Sequence, residues 1–238
     1  MRGCLFTLLL GALVGAFIVF IGLPAVAAGM LTAGVKAAGL QADDTTVTVT
    51  SDPPTDLLGL HADRVRVRAT HATFRGYAIG ALDVNLQDVS MLDRTAVGVA
   101  GTLTGVTIPN IGGRPLPLQT ITLAGGGDAI TASTTIGGAD ASKLVADAVE
   151  SALGTRPTSV TLSSPDVVTA RLGVAVTAHL SVDAAGDLVA TVANGPAAGQ
   201  VVVLLRGGED LPIRLTGVRV TSAGGLRLDG VMVVGLLG

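Results

Sequence analysis

Apolar and polar side chains alternate along most of this chain. Val47 and Val49 alternate with Thr46, Thr48 and Thr50, Val65 and Val67 with Arg64, Arg66 and Arg68, and Leu82, Val84 and Leu86 with Asp83, Asn85 and Gln87. Val174, Val176 and Ala178 carry the pattern towards Leu180, and Val201 to Leu205 is a continuous apolar run. A period of two over four to eight residues predicts strands with one buried face. Turn signals separate them at Asp52-Pro53-Pro54, Gly112-Gly113, Gly125-Gly126-Gly127, Ala185-Gly186, Asn194-Gly195-Pro196, Gly207-Gly208 and Gly224-Gly225.

One segment has a different period. Between Asp140 and Leu153, the apolar residues Leu144, Val145, Ala148, Val149, Ala152 and Leu153 recur at i, i+1, i+4, i+5, i+8 and i+9. That spacing predicts a helix with a single apolar stripe, capped by Asp140 and ended by a left-handed Gly154. A shorter helix is expected around Thr55 to His61. A weak internal echo links Leu103-Thr104-Gly105-Val106-Thr107-Ile108, Leu215-Thr216-Gly217-Val218-Arg219-Val220 and Leu86-Gln87-Asp88-Val89-Ser90-Met91. In each, the apolar positions jump from one parity to the other, as a β-bulge makes them do.

The start of the chain is of another kind. From Gly3 to Val35 no side chain is charged, and Cys4 to Leu23 is apolar apart from Thr7. Twenty residues at ~1.5 Å each span ~30 Å, the thickness of a bilayer's hydrocarbon core. The length favours an uncleaved anchor, with Arg2 kept on the cytoplasmic side and the rest of the chain outside. The small-x-small site Ala25-Val26-Ala27 keeps a cleaved leader, and a secreted or periplasmic product, as the alternative. Residues 1–35 are therefore expected to be a signal-anchor or transmembrane segment with its connector, and residues 36–238 an extracytoplasmic domain. Cys4 is the single cysteine, so no intrachain disulfide is possible.

Composition narrows the function classes. Charged residues make up 14% of the chain, against ~25% in a typical soluble protein, and the formal net charge is −3. Aromatic residues are 2%, with no Trp and a single tyrosine, Tyr77. Nucleic-acid binding is excluded for want of basic excess and stacking groups. His61, His71 and His179 lie far apart, and no HExxH, CxxC or GxSxG motif occurs, so neither a metal site nor a cofactor is expected. Gly125-Gly126-Gly127 lacks the following GK[ST] of a phosphate loop. The pairs Asp43/Asp44 and Glu209/Asp210 read as solvated turns. No catalytic residue is assigned.

Two features carry a binding reading. Arg64, Arg66 and Arg68 share one strand face over ~13 Å, with Arg75 nearby in sequence, and guanidinium forks suit anionic lipid headgroups. The stripe Leu144, Val145, Ala148, Val149 and Leu153 is the second: it lines a lipid groove if the space beneath it is open, and packs a core if that space is filled.

The order of features resembles a known family. A hydrophobic N-terminus precedes VTVTSDPPTDLLGLHADRVRVRATHATFRGYAIGALDVNLQDVSM, in which a Leu-rich stretch leads to two long alternating strands around Phe74-Arg75-Gly76. Near the C-terminus stands Leu211-Pro212-Ile213-Arg214-Leu215-Thr216-Gly217-Val218-Arg219-Val220-Thr221, followed by Gly224-Gly225-Leu226-Arg227-Leu228. Over roughly residues 45–230 this resembles the LmeA-like phospholipid-binding family of bacterial cell-envelope proteins, which is similar in shape to tubular lipid-binding proteins. The resemblance implies an extracytoplasmic phospholipid-binding domain without catalytic residues.

The expected fold is therefore α+β: a strongly curved antiparallel β-sheet wrapped around one main amphipathic helix, preceded by an N-terminal hydrophobic helix. The expected partners are a phospholipid or other acyl lipid and the membrane. The alternative is a structural or scaffolding protein with a dry core that engages an envelope protein. A third class, a hydrolytic or glycosyl-transferring enzyme, would draw on Asp166, Asp183 and Asp187.

Overall fold

A computed structural model describes residues 23–232 apart from 38, 75, 94, 112, 127, 128, 196 and 212. Helix α1 (Leu23–Ala37) leads into β1 (Leu40–Gln41) and β2 (Asp44–Thr50), and a 3₁₀ turn (Pro54–Gly59) leads on to β3 (His61–Phe74). A meander of long strands follows: β4 (Tyr77–Ser90), β5 (Thr95–Ile111), β6 (Arg114–Gly126) and β7 (Ala129–Ile136). After α2 (Gly138–Leu153) comes a second meander: β8 (Ser159–Ser163), β9 (Val167–Leu172), β10 (Val174–Val182), β11 (Leu188–Val192) and β12 (Val201–Leu205). The chain returns through β13 (Ile213–Val220) and β14 (Leu226–Met232).

The strands form two antiparallel sheets. The larger runs β1-β3-β4-β5-β6-β7-β14-β13, with β2 also on β3, and the smaller runs β12-β11-β10-β9-β8. The small sheet is thus an excursion between β7 and the hairpin that pairs with β7. The main core lies between the sheets. Ile79, Val106, Leu118, Ile136 and Leu228 of the large sheet meet Val168, Leu180, Leu188 and Leu204 of the small one. Leu144 and Val145 of α2 close this core. A second core joins Ala27 of α1 and Leu57 of the 3₁₀ turn to Val49, Ala62, Val65, Val67 and Val89.

The inner face stays apolar along strands of 13–17 residues because the strands are interrupted together. Inward positions change parity between Ala69 and Ala72 on β3, Ile79 and Leu82 on β4, Leu103 and Val106 on β5, and Leu118 and Ile121 on β6. Thr70 pairs with Ala81 and Ala72 with Ile79, so the register runs through the break unchanged. His71 and Gly105 take φ values of 47° and 62° at this level. A second level separates Leu86 from Val89, with Asp88 at φ 48°. The echoed parity jump in β13 is instead a one-strand register shift between Leu215 and Gly217. All three echoed sites are ladder irregularities, but two of them cross several strands. A parity jump read in one strand cannot say whether its neighbour jumps too.

The expected fold class is corrected. The structure is 61% strand and 17% helix, in two sheets rather than one sheet wound about a helix. The helix predicted at 140–153 forms, but as a 16-residue cover over the core rather than the axis of the fold. Its N-cap is Gly137 rather than Asp140, which falls within the first turn, and Gly154 ends it at φ 68°. Periodicity shows that strands exist, not how they divide between sheets. Much of the expected connector is α1, whose Ala27 is buried.

The membrane expectation is corrected as well. Among the described residues, no helix is long and apolar enough to cross a membrane, against the expected transmembrane helix and single-pass placement. Residues 4–22 of the Cys4–Leu23 run, and with them Arg2 and the predicted N-terminal hydrophobic helix, lie outside the described residues. The cleavage site proposed after Ala27 falls inside helix α1.

Candidate functional site

Between the two cores, the inner face of the large sheet is covered only in part. Three cross-strand rows form this floor. Leu82, Leu103 and Ile121 make the first, Val84, Gly101 and Leu123 the second, and Leu86, Val99 and Gly125 the third. The apolar side chains of all three rows are partly buried, whereas Val65 and Val67 on one side and Ala132 on the other are buried. Leu82 packs against both cores. With strands ~4.8 Å apart, the floor is ~10 Å wide across β4–β6.

Two glycines interrupt this floor. A Cβ on Gly101 would meet the Asp83 carbonyl oxygen at 2.7 Å and Val84 Cα at 2.9 Å, so the position admits only glycine without a backbone shift. At Gly125, φ is 139° and a Cβ would meet the Ala129 carbonyl oxygen at 2.3 Å. At both positions atoms of the neighbouring strand already occupy the place of a side chain, so the two glycines mark close approach of adjacent strands within an otherwise apolar floor. At the end of the first row Thr134 pairs with Ile121; its side chain is 3% exposed and its hydroxyl has no hydrogen-bond partner. The sequence carried a signal for one edge of this site, the alternation of Leu82, Val84 and Leu86 with polar residues.

The predicted site residues fall elsewhere. Leu144 and Val145 are buried in the main core, and Ala148 and Val149 pack against it; Leu153 is partly buried. The cleft beside this helix, lined by Ile111, Leu116, Leu144 and the charged side chains of Arg114, Lys143 and Asp147, holds ≈ 30 Å³. Pockets for small-molecule ligands run to ~300–1,000 Å³, so no acyl chain fits there. Asp147 is clamped by Arg114 and, at 3.0 Å, by Arg156, which also reaches Glu150 at 2.5 Å.

Arg64, Arg66 and Arg68 do share the outer face of β3, opposite the floor. Two of them are engaged. Arg66 donates to Asp83 through Nε (2.9 Å) and Nη2 (2.6 Å), and Arg68 Nε donates to the same carboxylate at 3.2 Å. The Arg66 hydrogen bonds hold the Asp83 carboxyl below the usual carboxylate range. This leaves Arg64 as the exposed cation of the three without an ion-pair partner among the described residues. Arg75 lies outside the described residues.

The acids considered for catalysis organise turns. Asp183 Oδ1 accepts from the N–H groups of Ala185 and Asp187, Asp187 Oδ1 from Gly207 N–H, and Asp166 sits 3.2 Å from His179 Nδ1. Asp210 accepts from Arg206 N–H, and Glu209 pairs with the Arg206 side chain. Strand pairing also gathers His61, Asp63 and Asp88, whose ligating atoms lie within 4.8 Å of one another. Spacing along the chain conceals that cluster, and one of its carboxylates already accepts from Asp52 N–H at 2.7 Å.

No family model matches the chain, nor does any curated protein or solved structure. The resemblance to the LmeA-like family therefore rests on the sequence patterns alone.

Proposed function

We propose that this chain is a non-enzymatic protein that binds a phospholipid or other acyl lipid against the apolar floor of its large sheet. The observation that carries this reading is the floor itself, three rows of apolar side chains left only partly buried between two packed cores. Each CH₂ taken out of water onto such a surface contributes up to ~0.8 kcal/mol, so an acyl chain needs no polar recognition to be held. The sequence resemblance to the LmeA-like family supports the same ligand class. The site differs from the one expected: the guest lies on the floor, not under the α2 stripe.

A second reading, a scaffolding protein with a dry core, is favoured by the filled space beneath α2 and its ≈ 30 Å³ cleft. Native mass spectrometry of the full chain, purified from membranes in mild detergent, separates the two. Retained lipid mass that is lost in Val84→Asp and Leu103→Asp supports the floor as a lipid site. A chain that carries no lipid, and takes up none from added phosphatidylcholine, is a scaffold.

A further inference from the structure

Six of the nine large apolar side chains that stand exposed among the described residues gather at one end of the large sheet. Leu58 and Leu60 belong to the 3₁₀ turn and its cap, Leu92 to the β4–β5 turn, Val97 to the start of β5, and Val26 and Met30 to α1. Leu58 is 67% exposed and Leu92 74%. These elements meet. Met91 N–H donates to the Leu60 carbonyl at 2.9 Å, His61 pairs with Ser90, and Ala27 of α1 shares a core with Leu57 and Val89. Leu57 and Ala62, neighbours of the exposed Leu58 and Leu60, are buried in the second core, so the outward leucines stand on packed chain.

Burial of exposed leucines needs an apolar partner, and the chain shows which kind. Residues Gly3–Gly22, without one charged side chain, directly precede in sequence Leu23, the first described residue of the helix that packs on this same end. A lipid bilayer is the environment that suits both features. Among the described residues the rim of the tip carries Asp56, Asp63, Asp88 and Asp93 against Arg64, an acidic balance that gives anionic headgroups no attraction, so the contact is hydrophobic.

We infer that this end, formed by the 3₁₀ turn, the β4–β5 turn and α1, is a docking surface for a lipid bilayer, and that it needs no anionic lipid. The inference goes beyond the floor reading, since it requires no guest on the floor. The test uses the full chain with Cys4→Ser and one introduced cysteine bearing an environment-sensitive fluorophore. The cysteine is placed at Leu58→Cys, Leu92→Cys or, as a control on the small sheet, Val201→Cys. Phosphatidylcholine vesicles carry quenching groups along their acyl chains. Position-resolved quenching keeps contact by the tip apart from contact by the N-terminal residues.

The expected result is strong quenching at positions 58 and 92, none at 201, and no gain when phosphatidylglycerol is added. Replacing the unlabelled tip leucine by Asp should weaken the vesicle partition constant read at the labelled one by about 10-fold or more, the cost of losing one buried leucine. An unaltered melting curve for the Asp variants shows that the fold is intact. Quenching that is equal at all three positions, absent from the tip, or dependent on phosphatidylglycerol overturns the inference.

Discussion

Single side chains at the edges of the floor make the sharpest physical statements. Thr134 is buried with its hydroxyl unpartnered. An unsatisfied buried donor costs ~1–3 kcal/mol, whereas a methyl group of the same shape costs nothing in hydrogen bonding. Thr134→Val is therefore expected to raise stability by about 1 kcal/mol, read from urea unfolding midpoints. A fall in stability would mean that the hydroxyl is satisfied in solution. On the opposite face, Asp83 makes a different prediction. Its carboxyl is held below the ordinary range by hydrogen bonds from Arg66. Its contribution is thus present above the unfolded-state pKa near ~3.9 and is lost as the pH falls through the lower folded-state value. Asp83→Asn should weaken the protein at neutral pH and flatten the decline of stability below about pH 4. An unchanged slope in acid would show that the pair carries no linkage. The sequence displayed the three arginines but not their partner. Asp83 lies 15 residues from Arg68 in the chain and directly across from it in the sheet.

Among the elements, α2 shows how far periodicity reaches. Its stripe and its glycine terminator were both legible, because a 3.6-residue period and a left-handed C-cap are local properties. What the stripe touches was not legible, since it packs against β8 and β12, which only the folding of the second meander brings together beneath it. The structure places Leu144 and Val145 in a filled core, which carries a measurable consequence. Leu144→Ala should cost about 2–5 kcal/mol, the range for emptying a packed site, whereas partly buried Leu153→Ala should cost under about 1 kcal/mol. Denaturant titration of both variants discriminates core from groove. If the stripe lined an open groove, both truncations would be cheap. The strands tell a similar story. Val47/Val49, Val65/Val67 and Leu82/Val84/Leu86 all fall on strands as their alternation required. The close strand approach at Gly101 and Gly125 was not legible, since from the sequence both look like ordinary turn or bulge residues.

At the scale of the whole molecule, the C-terminal hairpin joins what the order of strands separates. β14 pairs with β7 through Leu226↔Ile136 and Leu228↔Thr134, extending the large sheet past the small-sheet excursion. β13 reaches the other way. Val220 N–H donates to the Pro165 carbonyl at 2.7 Å and Leu215 N–H to the Gly186 carbonyl at 3.2 Å, both in turns of the small sheet. Leu226 and Leu228 are fully buried in the core that both sheets share. The hairpin therefore makes the two meanders one cooperative unit, although each is a local structure that pairs only with itself. Leu228→Ala removes a wholly buried side chain at a cost of about 2–5 kcal/mol. Because unfolding is shared, native-state hydrogen exchange should lose protection to the same extent in β6 and in β10, by about 30-fold or more at 2 kcal/mol or above. Protection that falls in β6 while β10 stays unchanged would show two independent units. In that case the shared core would be a contact surface between them, and a guest on the floor of the large sheet would leave the small sheet's stability untouched.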